Sequence, residues 1–122
     1  MVKKAKFVFD YENLNTQLNL EEIVALISTG DRNSPEYGLT LMILRTLLSK
    51  SREMSKDQMY DLFMRNREHI SKASFYRILS RLQSRGMIVF DKETNKYRPA
   101  IHFSNALQKL AISWETLVTE QK

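Results

Sequence analysis

The chain has 122 residues, 43% of them hydrophobic, which is enough for one small domain with a core of its own. It contains no cysteine, which excludes disulfides, thiolate metal sites and cysteine nucleophiles. No apolar run approaches the roughly 20 residues of a membrane span, and acidic residues interrupt the N-terminal apolar run before it could form a secretory signal. We therefore expect a cytoplasmic protein that does not enter a membrane. Only three glycines and two prolines are present, which favours a helix-rich domain.

The positive charge of the chain is concentrated in one third of its length. The net charge is +5, but residues 65–98 contain nine Lys and Arg against three Asp and Glu, a balance of +6. The remaining residues have a balance of −1. A localised excess of basic residues is typical of a surface that binds a polyanion.

The first thirty residues predict a strand followed by a helix. Residues 6–11 alternate in the manner of a short strand, and a helical start is the alternative. Asn19 and Glu22 have the spacing of a capping box, so a helix is expected to begin there and to end at Gly30. We assign residues 1–30 to support of the domain or to dimerisation.

Three helices are predicted in the centre of the chain, over residues 35–49, 55–65 and 71–85. Ser34 caps the first, and Pro35 suits its first position. This helix is apolar on nearly all sides, which predicts the buried centre of the domain. Ser55 with Gln58 forms a second capping box, and Ser71 caps the third helix.

A β-hairpin and a last helix are predicted after the third helix. Gly86 suits the left-handed position that ends a helix. Residues 87–91 and 96–101 predict two strands, the second weakened by Pro99. Ser104 is expected to cap the last helix. The fold predicted is mainly α with a small β-hairpin wing, a winged helix-turn-helix over residues 35–101 flanked by 1–30 and by a C-terminal helix over 104–122.

The helix over 71–85 carries the candidate binding face. Its apolar residues fall on one side, and the opposite side has no carboxylate, whereas an ordinary solvated helix would show some. Small, hydroxylated and basic residues allow close approach to a major groove and bidentate contact from Arg to guanine. Ser and Lys at the helix start suit phosphate. The candidate DNA-binding residues of this helix are Ser71, Lys72, Ser74, Tyr76, Arg77, Ser80 and Arg81.

The segment SKASFYRILSRLQSRGMI, residues 71–88, resembles the recognition helix and first wing strand of winged helix-turn-helix regulators. It is most similar to the multiple-antibiotic-resistance regulator and phenolic-acid-decarboxylase regulator families. The matching features are the Ser-rich entry at Ser71 and Ser74, Arg77 in mid-helix, the exit from Leu82 to Gly86, and the apolar pair Met87-Ile88. The resemblance covers about residues 36–101.

This resemblance implies sequence-specific binding of double-stranded DNA by a transcriptional regulator. The helix over 71–85 would lie in the major groove, and the wing over 87–101 on the DNA backbone. The implied wing contacts to phosphate are Lys92, Asn95, Lys96 and Arg98. Arg65 and Arg67, in the turn before the helix, are further candidates for backbone contact, although a charged turn is more often only solvated.

The last helix has an apolar stripe that the domain core does not need. Its members are Leu107, Leu110, Trp114, Leu117 and Val118. The stripe could fold back on the helix that begins near Asn19, or it could pair with its copy in a second chain. Because regulators of this superfamily commonly dimerise through terminal helices, the resemblance implies a homodimer that binds a pseudo-palindromic site, with Trp114 as an anchor.

Catalysis has little support in the sequence. The chain has two histidines, and it has no cysteine, phosphate-cradling glycine loop or paired acidic motif. We expect no enzyme, no metal and no cofactor. Two other uses of the fold stay open, namely a replication or plasmid-partition protein and a winged helix that binds another protein. RNA binding is less favoured, because readers of single strands usually display aromatic residues on a sheet.

Overall fold

A computed structural model describes residues 17–27 and 32–120, and these contain five helices and three short strands. The helices are α1 (Leu20–Ile27), α2 (Pro35–Leu47), α3 (Lys56–Arg65), α4 (Lys72–Ser84) and α5 (His102–Thr119). The strands are β1 (Met54–Ser55), β2 (Ile88–Asp91) and β3 (Lys96–Pro99). The predicted fold class, mainly α with a small β-hairpin wing, is confirmed. None of the described helices combines the length and the hydropathy needed to cross a bilayer.

Side-chain caps begin four of the helices where the sequence predicts them. Asn19 and Glu22 exchange hydrogen bonds in front of α1, at 2.9 and 3.3 Å. Ser55 and Gln58 form the same reciprocal box before α3. The Oγ atoms of Ser34 and Ser71 each accept a backbone N–H three residues later. Each cap satisfies an N–H group that the helix itself leaves without a partner.

The prediction that Ser104 caps the last helix is wrong. Helix α5 begins at His102, and Ile101 occupies the capping position without a side-chain hydrogen bond. A tertiary contact replaces the cap, because the N–H of Phe103 donates to the carbonyl of Gly86 at 2.9 Å. The predicted strand over residues 6–11 and the predicted stop at Gly30 lie outside the described residues.

The three strands form one antiparallel sheet in the order β1-β3-β2. The hairpin pairs Ile88 with Pro99 and Asp91 with Lys96, as the sequence predicts. Strand β1 was not predicted, since two residues are too few for an alternating pattern. It pairs with β3 through Met54 and Tyr97, and it thereby joins the loop before α3 to the wing.

The core lies where α1, α2, α3 and α4 meet the first residue of β2. Helix α2 supplies its centre, since Leu39, Ile43 and Leu47 are at most 1% exposed. Helix α4 buries one stripe against it, made of Phe75, Ile78, Leu79 and Leu82. The turn between α3 and α4 is closed by Ile70, which is buried, and by Asn66, whose amide donates to the carbonyl of Leu62 at 2.7 Å. Helix α4 therefore packs against the core through one side only.

Candidate nucleic-acid interface

The side of α4 that faces away from the core is exposed, as the apolar spacing predicts. Lys72, Ala73, Tyr76, Arg77 and Ser80 are all exposed. The first turn of α4 has no acidic residue, in contrast to α1, α2 and α3. The partial positive charge at this helix end is thus not offset by a neighbouring carboxylate of its own turn.

Three of the candidate residues are joined by hydrogen bonds at the start of α4. The Oγ of Ser71 lies 3.1 Å from the Oγ of Ser74, and the guanidinium of Arg77 donates to the Oγ of Ser74 at 3.3 Å. The Arg77 head group is therefore held over the first turn of the helix. Among the described residues, no carboxylate forms an ion pair with Arg77.

Lys72 and Tyr76 flank this group. The Nζ of Lys72 lies 5.9 Å from the ring centre of Tyr60 on α3, within the range of a cation–π contact. Tyr76 is 50% exposed, although its ring lies 5.1 Å from the ring of Phe75. Its phenol is therefore available on the surface while one edge of the ring packs against the domain.

Arg81 and Arg85 point toward other helices. Arg81 is partly buried, and its guanidinium lies 3.8 Å from the carboxylate of Glu36 on α2. The guanidinium of Arg85 donates to the carbonyl of Ile27 at the end of α1. Burial, with the nearby Arg81, lowers the pKa of Arg85. Arg85 thus ties the C-terminal end of α4 to α1, where a cation also offsets the negative end of that helix.

The wing residues Lys96 and Arg98 share an acidic partner that the sequence did not suggest. The Oε2 of Glu53, just before β1, lies 3.5 Å from the Nζ of Lys96 and 3.7 Å from the Nη2 of Arg98. Asp91 on β2 adds a second contact to Arg98 at 4.0 Å. Both bases remain more than 40% exposed, so a bound phosphate would share them with Glu53. Only the pairing of β1 with β3 brings Glu53 here.

The other two wing candidates, Lys92 and Asn95, lie at the exposed tip between β2 and β3. Asn95 has a φ of 61°, a left-handed conformation that Asn adopts more readily than most residues. The carboxylate of Asp91 accepts the N–H of Glu93 at 2.9 Å, and this hydrogen bond lowers the pKa of Asp91. The tip is thus a tight turn rather than a long arm.

An aromatic pair stiffens the hairpin between its tip and the core. The rings of Phe90 and Tyr97 pack edge to face with centres 4.9 Å apart. The Nζ of Lys56, in the first turn of α3, lies 4.8 Å above the ring of Phe90. Burial, with the nearby Tyr76, raises the pKa of Tyr97. Sequence reasoning missed Lys56, because a lone base in a first turn carries no signal.

Arg65 and Arg67 end α3 and occupy the following turn, and both are exposed. In the described part of the chain neither forms an ion pair, so both resemble the residues of an ordinary solvated turn. No group of three or more His, Asp and Glu in residues 17–27 and 32–120 is arranged to hold a metal ion.

Helix α5 packs against the rest of the described domain only at its first turn. Every residue of α5 except Phe103 is exposed. The five stripe residues of the prediction are on this exposed helix, with Leu110, Trp114, Leu117 and Val118 all 63–66% exposed and Leu107 36% exposed. The stripe does not fold back on α1 within the described chain.

An apolar groove of about 240 Å³ lies at the base of α5. Its walls come from α1, α2, the end of β3 and the first turn of α5. Its lining residues include Ile23, Leu48, Ile101, Phe103 and Ser104.

A family model described as an archaeal family matches residues 12–120. No curated protein and no solved structure match the chain.

Proposed function

The chain belongs to this archaeal family, and we propose that it binds double-stranded DNA sequence-specifically as a transcriptional regulator. Helix α4 would lie in the major groove, with the hairpin of β2 and β3 on the adjacent sugar–phosphate backbone. The proposal extends to a homodimer that joins through α5 and binds a pseudo-palindromic site.

The outer face of α4 is the observation that carries this proposal. A helix held to its domain by one stripe can enter a groove about 12 Å wide. On this helix Arg77 is exposed, free of acidic partners among the described residues, and positioned by Ser74. A guanidinium held in this way can contact the two acceptors of a guanine edge. Ala73 and Ser80 add little bulk beside it, which permits close approach.

The start of α4 and the wing would contact phosphates. Ser71, Lys72 and the first N–H groups of α4 offer donors at the positive end of the helix. Lys92, Lys96 and Arg98 place further bases on the hairpin. These contacts would fix the orientation of α4 on the duplex and carry no base preference themselves.

Arg81 has a different role in the proposal. Because its guanidinium is partly buried beside Glu36, it is better suited to bracing α4 against α2 than to reading a base. Arg77 is left as the main candidate for base contact. DNA contact by Arg81 would require the ion pair to open.

The proposal is tested with the 122-residue chain and three variants on labelled duplexes. A binding site is first selected from random-sequence DNA, and affinity is then measured by fluorescence anisotropy. The Arg77→Ala variant is expected to lose about 1–3 kcal/mol on the selected site and to discriminate less at one position. Lys92→Ala is expected to weaken selected and random duplexes alike and to flatten the salt dependence by about one unit.

Arg45→Ala is the matched control for these variants. Arg45 is an exposed arginine that pairs with Glu21 across α1 and α2, away from the outer face of α4. Its removal is expected to leave DNA affinity unchanged. If the wild type binds no duplex at low salt, the DNA proposal fails. If Arg45→Ala weakens binding as much as Arg77→Ala, the contact surface is wrong.

A further inference from the structure

We propose that two copies of the chain pair their α5 helices antiparallel, with the two-fold axis between Leu110 and Ala111, and that the end of each α5 fills the groove of the partner. This inference rests on the dimer in the proposed function and specifies its geometry. The groove is filled by a second copy of the same chain.

The order of apolar residues along α5 is itself symmetric about that point. An antiparallel pair centred between Leu110 and Ala111 sets these two residues opposite each other across the axis. The same register sets Leu107 opposite Trp114 and Phe103 opposite Val118. All of these residues lie on one side of α5 at 100° per residue. One rotation therefore brings these apolar residues of the two copies together, as an isologous two-fold interface requires.

The charges of α5 are compatible with this register. The stripe itself carries no charge, and between His102 and Thr119 the only acidic or basic residues other than His102 are Lys109 and Glu115. At 100° per residue both Lys109 and Glu115 lie outside the stripe. Pairing along the stripe therefore buries neither charge.

The groove lies where the far end of the partner helix would arrive. Phe103 and Ser104 line the groove and belong to the first turn of α5. In the proposed register the partner's Val118 and Leu117 lie opposite these two residues. An 18-residue helix is about 27 Å long, so each α5 reaches the base of the other. The groove wall is apolar, as are the side chains that would enter it.

The exposed apolar area of α5 is the reason that we expect a partner helix to cover it. Trp114 is 66% exposed and its neighbours Leu110 and Leu117 are 64% and 65% exposed. A monomeric protein rarely leaves a continuous apolar surface of this kind in water. Pairing along the whole stripe and into two grooves covers it on both copies.

Engineered cysteines test the register, because the chain has none of its own. Ala111→Cys is expected to form a disulfide-linked dimer under mild oxidation, since the two residues lie next to the axis. Ile112→Cys, one residue along but on the opposite face, is the matched control and should stay unlinked. Ser104→Cys and Val118→Cys, on the same edge of the stripe and at nearly the same level in the proposed register, should link only when the two variants are mixed. A dimer formed by Val118→Cys alone would indicate parallel helices and overturn the proposal.

Leu48→Glu tests the groove. Leu48 lines the groove and is 43% exposed, so a charge there should weaken pairing without unfolding the domain. We expect the dimer dissociation constant, measured by sedimentation, to rise about tenfold or more. Ile112→Glu, the control on α5, should leave it unchanged, and thermal melting checks that both variants are folded. Unchanged dimerisation of a folded Leu48→Glu would overturn the groove assignment.

These outcomes separate the inference from the proposed function. A dimer without the Ser104–Val118 link contradicts this register and leaves dimeric DNA binding intact. A wild type that is monomeric at all concentrations contradicts both this inference and the dimer in the proposed function. DNA binding through α4 is measured independently of either result.

Discussion

At the scale of single residues, Glu53 controls how much of the wing charge is available. It contacts both Lys96 and Arg98 at a partly exposed position, where an ion pair is individually weak. Its main effect on a polyanion would be local repulsion and competition for the two bases. Glu93, at the exposed tip, has no ion pair among the described residues and provides a comparison.

Glu53→Gln is therefore expected to tighten binding to random-sequence duplex about two- to fivefold at low salt. The gain should fade as ionic strength rises, because screening weakens the interaction of exposed charges. Glu93→Gln should give a smaller gain. Anisotropy titrations of both variants at several salt concentrations provide the measurement. Equal gains would show that the shared contact to Glu53 has no importance for binding.

Gly86 is the residue on which the junction of α4, the wing and α5 depends. Its φ is 78°, a left-handed conformation that glycine adopts without penalty. A Cβ there would lie 2.6 Å from the Cβ of His102 and 2.9 Å from the backbone nitrogen of Phe103. Neither atom is the end of a flexible side chain, so the backbone itself would have to move.

Gly86→Ala is expected to lower the free energy of unfolding by about 1–3 kcal/mol. Chemical denaturation followed by circular dichroism measures this loss. Gly38→Ala is the matched control, because a Cβ at Gly38 in α2 meets nothing within 4 Å and alanine favours helix. The control should be neutral or stabilising. A Gly86→Ala protein as stable as the wild type would contradict this description of the junction.

At the scale of elements, local signals in the sequence predict where most helices begin. They do not predict the contacts that each helix makes with other elements. The caps at Asn19, Ser34, Ser55 and Ser71 are local, involving residues three apart, and all four are confirmed. The predicted start of α5 was wrong because the N–H of Phe103, in its first turn, donates to the carbonyl of Gly86, a residue in the turn between α4 and β2. Strand β1 was missed because two residues are ordered only by their pairing with β3.

The candidate site shows the same division. The exposed face of α4 follows from helical spacing, so its residues could be named from the sequence. Arg81 contacts Glu36, and both Lys96 and Arg98 contact Glu53. These two carboxylates lie far away along the chain, whereas Asp91, the second partner of Arg98, is close in sequence. Such pairs depend on how elements pack. A sequence can therefore predict which basic residues lie near the site, but not which of them form ion pairs with carboxylates of other elements.

Ser71 and Ser55 provide a test that separates stability from binding at this scale. Both cap a helix, so replacing either with Ala should cost about 1 kcal/mol of stability. Only Ser71 also contacts the group that holds Arg77, through Ser74. Ser71→Ala should therefore weaken DNA binding, and Ser55→Ala should not when both are compared at temperatures well below melting. Equal binding by the two variants would remove Ser71 from the candidate site.

At the scale of the whole molecule, the basic third of the sequence and the exposed α5 form two different surfaces. Most of these bases lie on α4 and the wing, whereas the apolar stripe of α5 carries no charge. A two-fold dimer through α5 would present two copies of α4. A dimer that binds two half-sites at once would gain affinity because its two α4 helices are linked, in addition to the contacts that each helix makes.

Trp114→Glu is expected to disrupt pairing, because it places a charge in the middle of the stripe. Affinity for a duplex with two half-sites should fall strongly, whereas affinity for a single half-site should change little. Sedimentation of the free variant and anisotropy with the two duplexes provide the measurements. A variant that stays dimeric, or that loses half-site binding while folded, would contradict the separation of the two surfaces.

The most direct test of the DNA-binding surface is an NMR titration of the isotope-labelled protein with a short duplex. Backbone amide signals are followed at fixed moderate salt as the duplex is added. We predict that the largest shifts occur from Ser71 to Ser80 and at the wing tip around Lys92, with little change in the middle of α5. Shifts confined to α5, or no shifts in α4 at saturating duplex, would contradict the proposal that α4 enters the major groove.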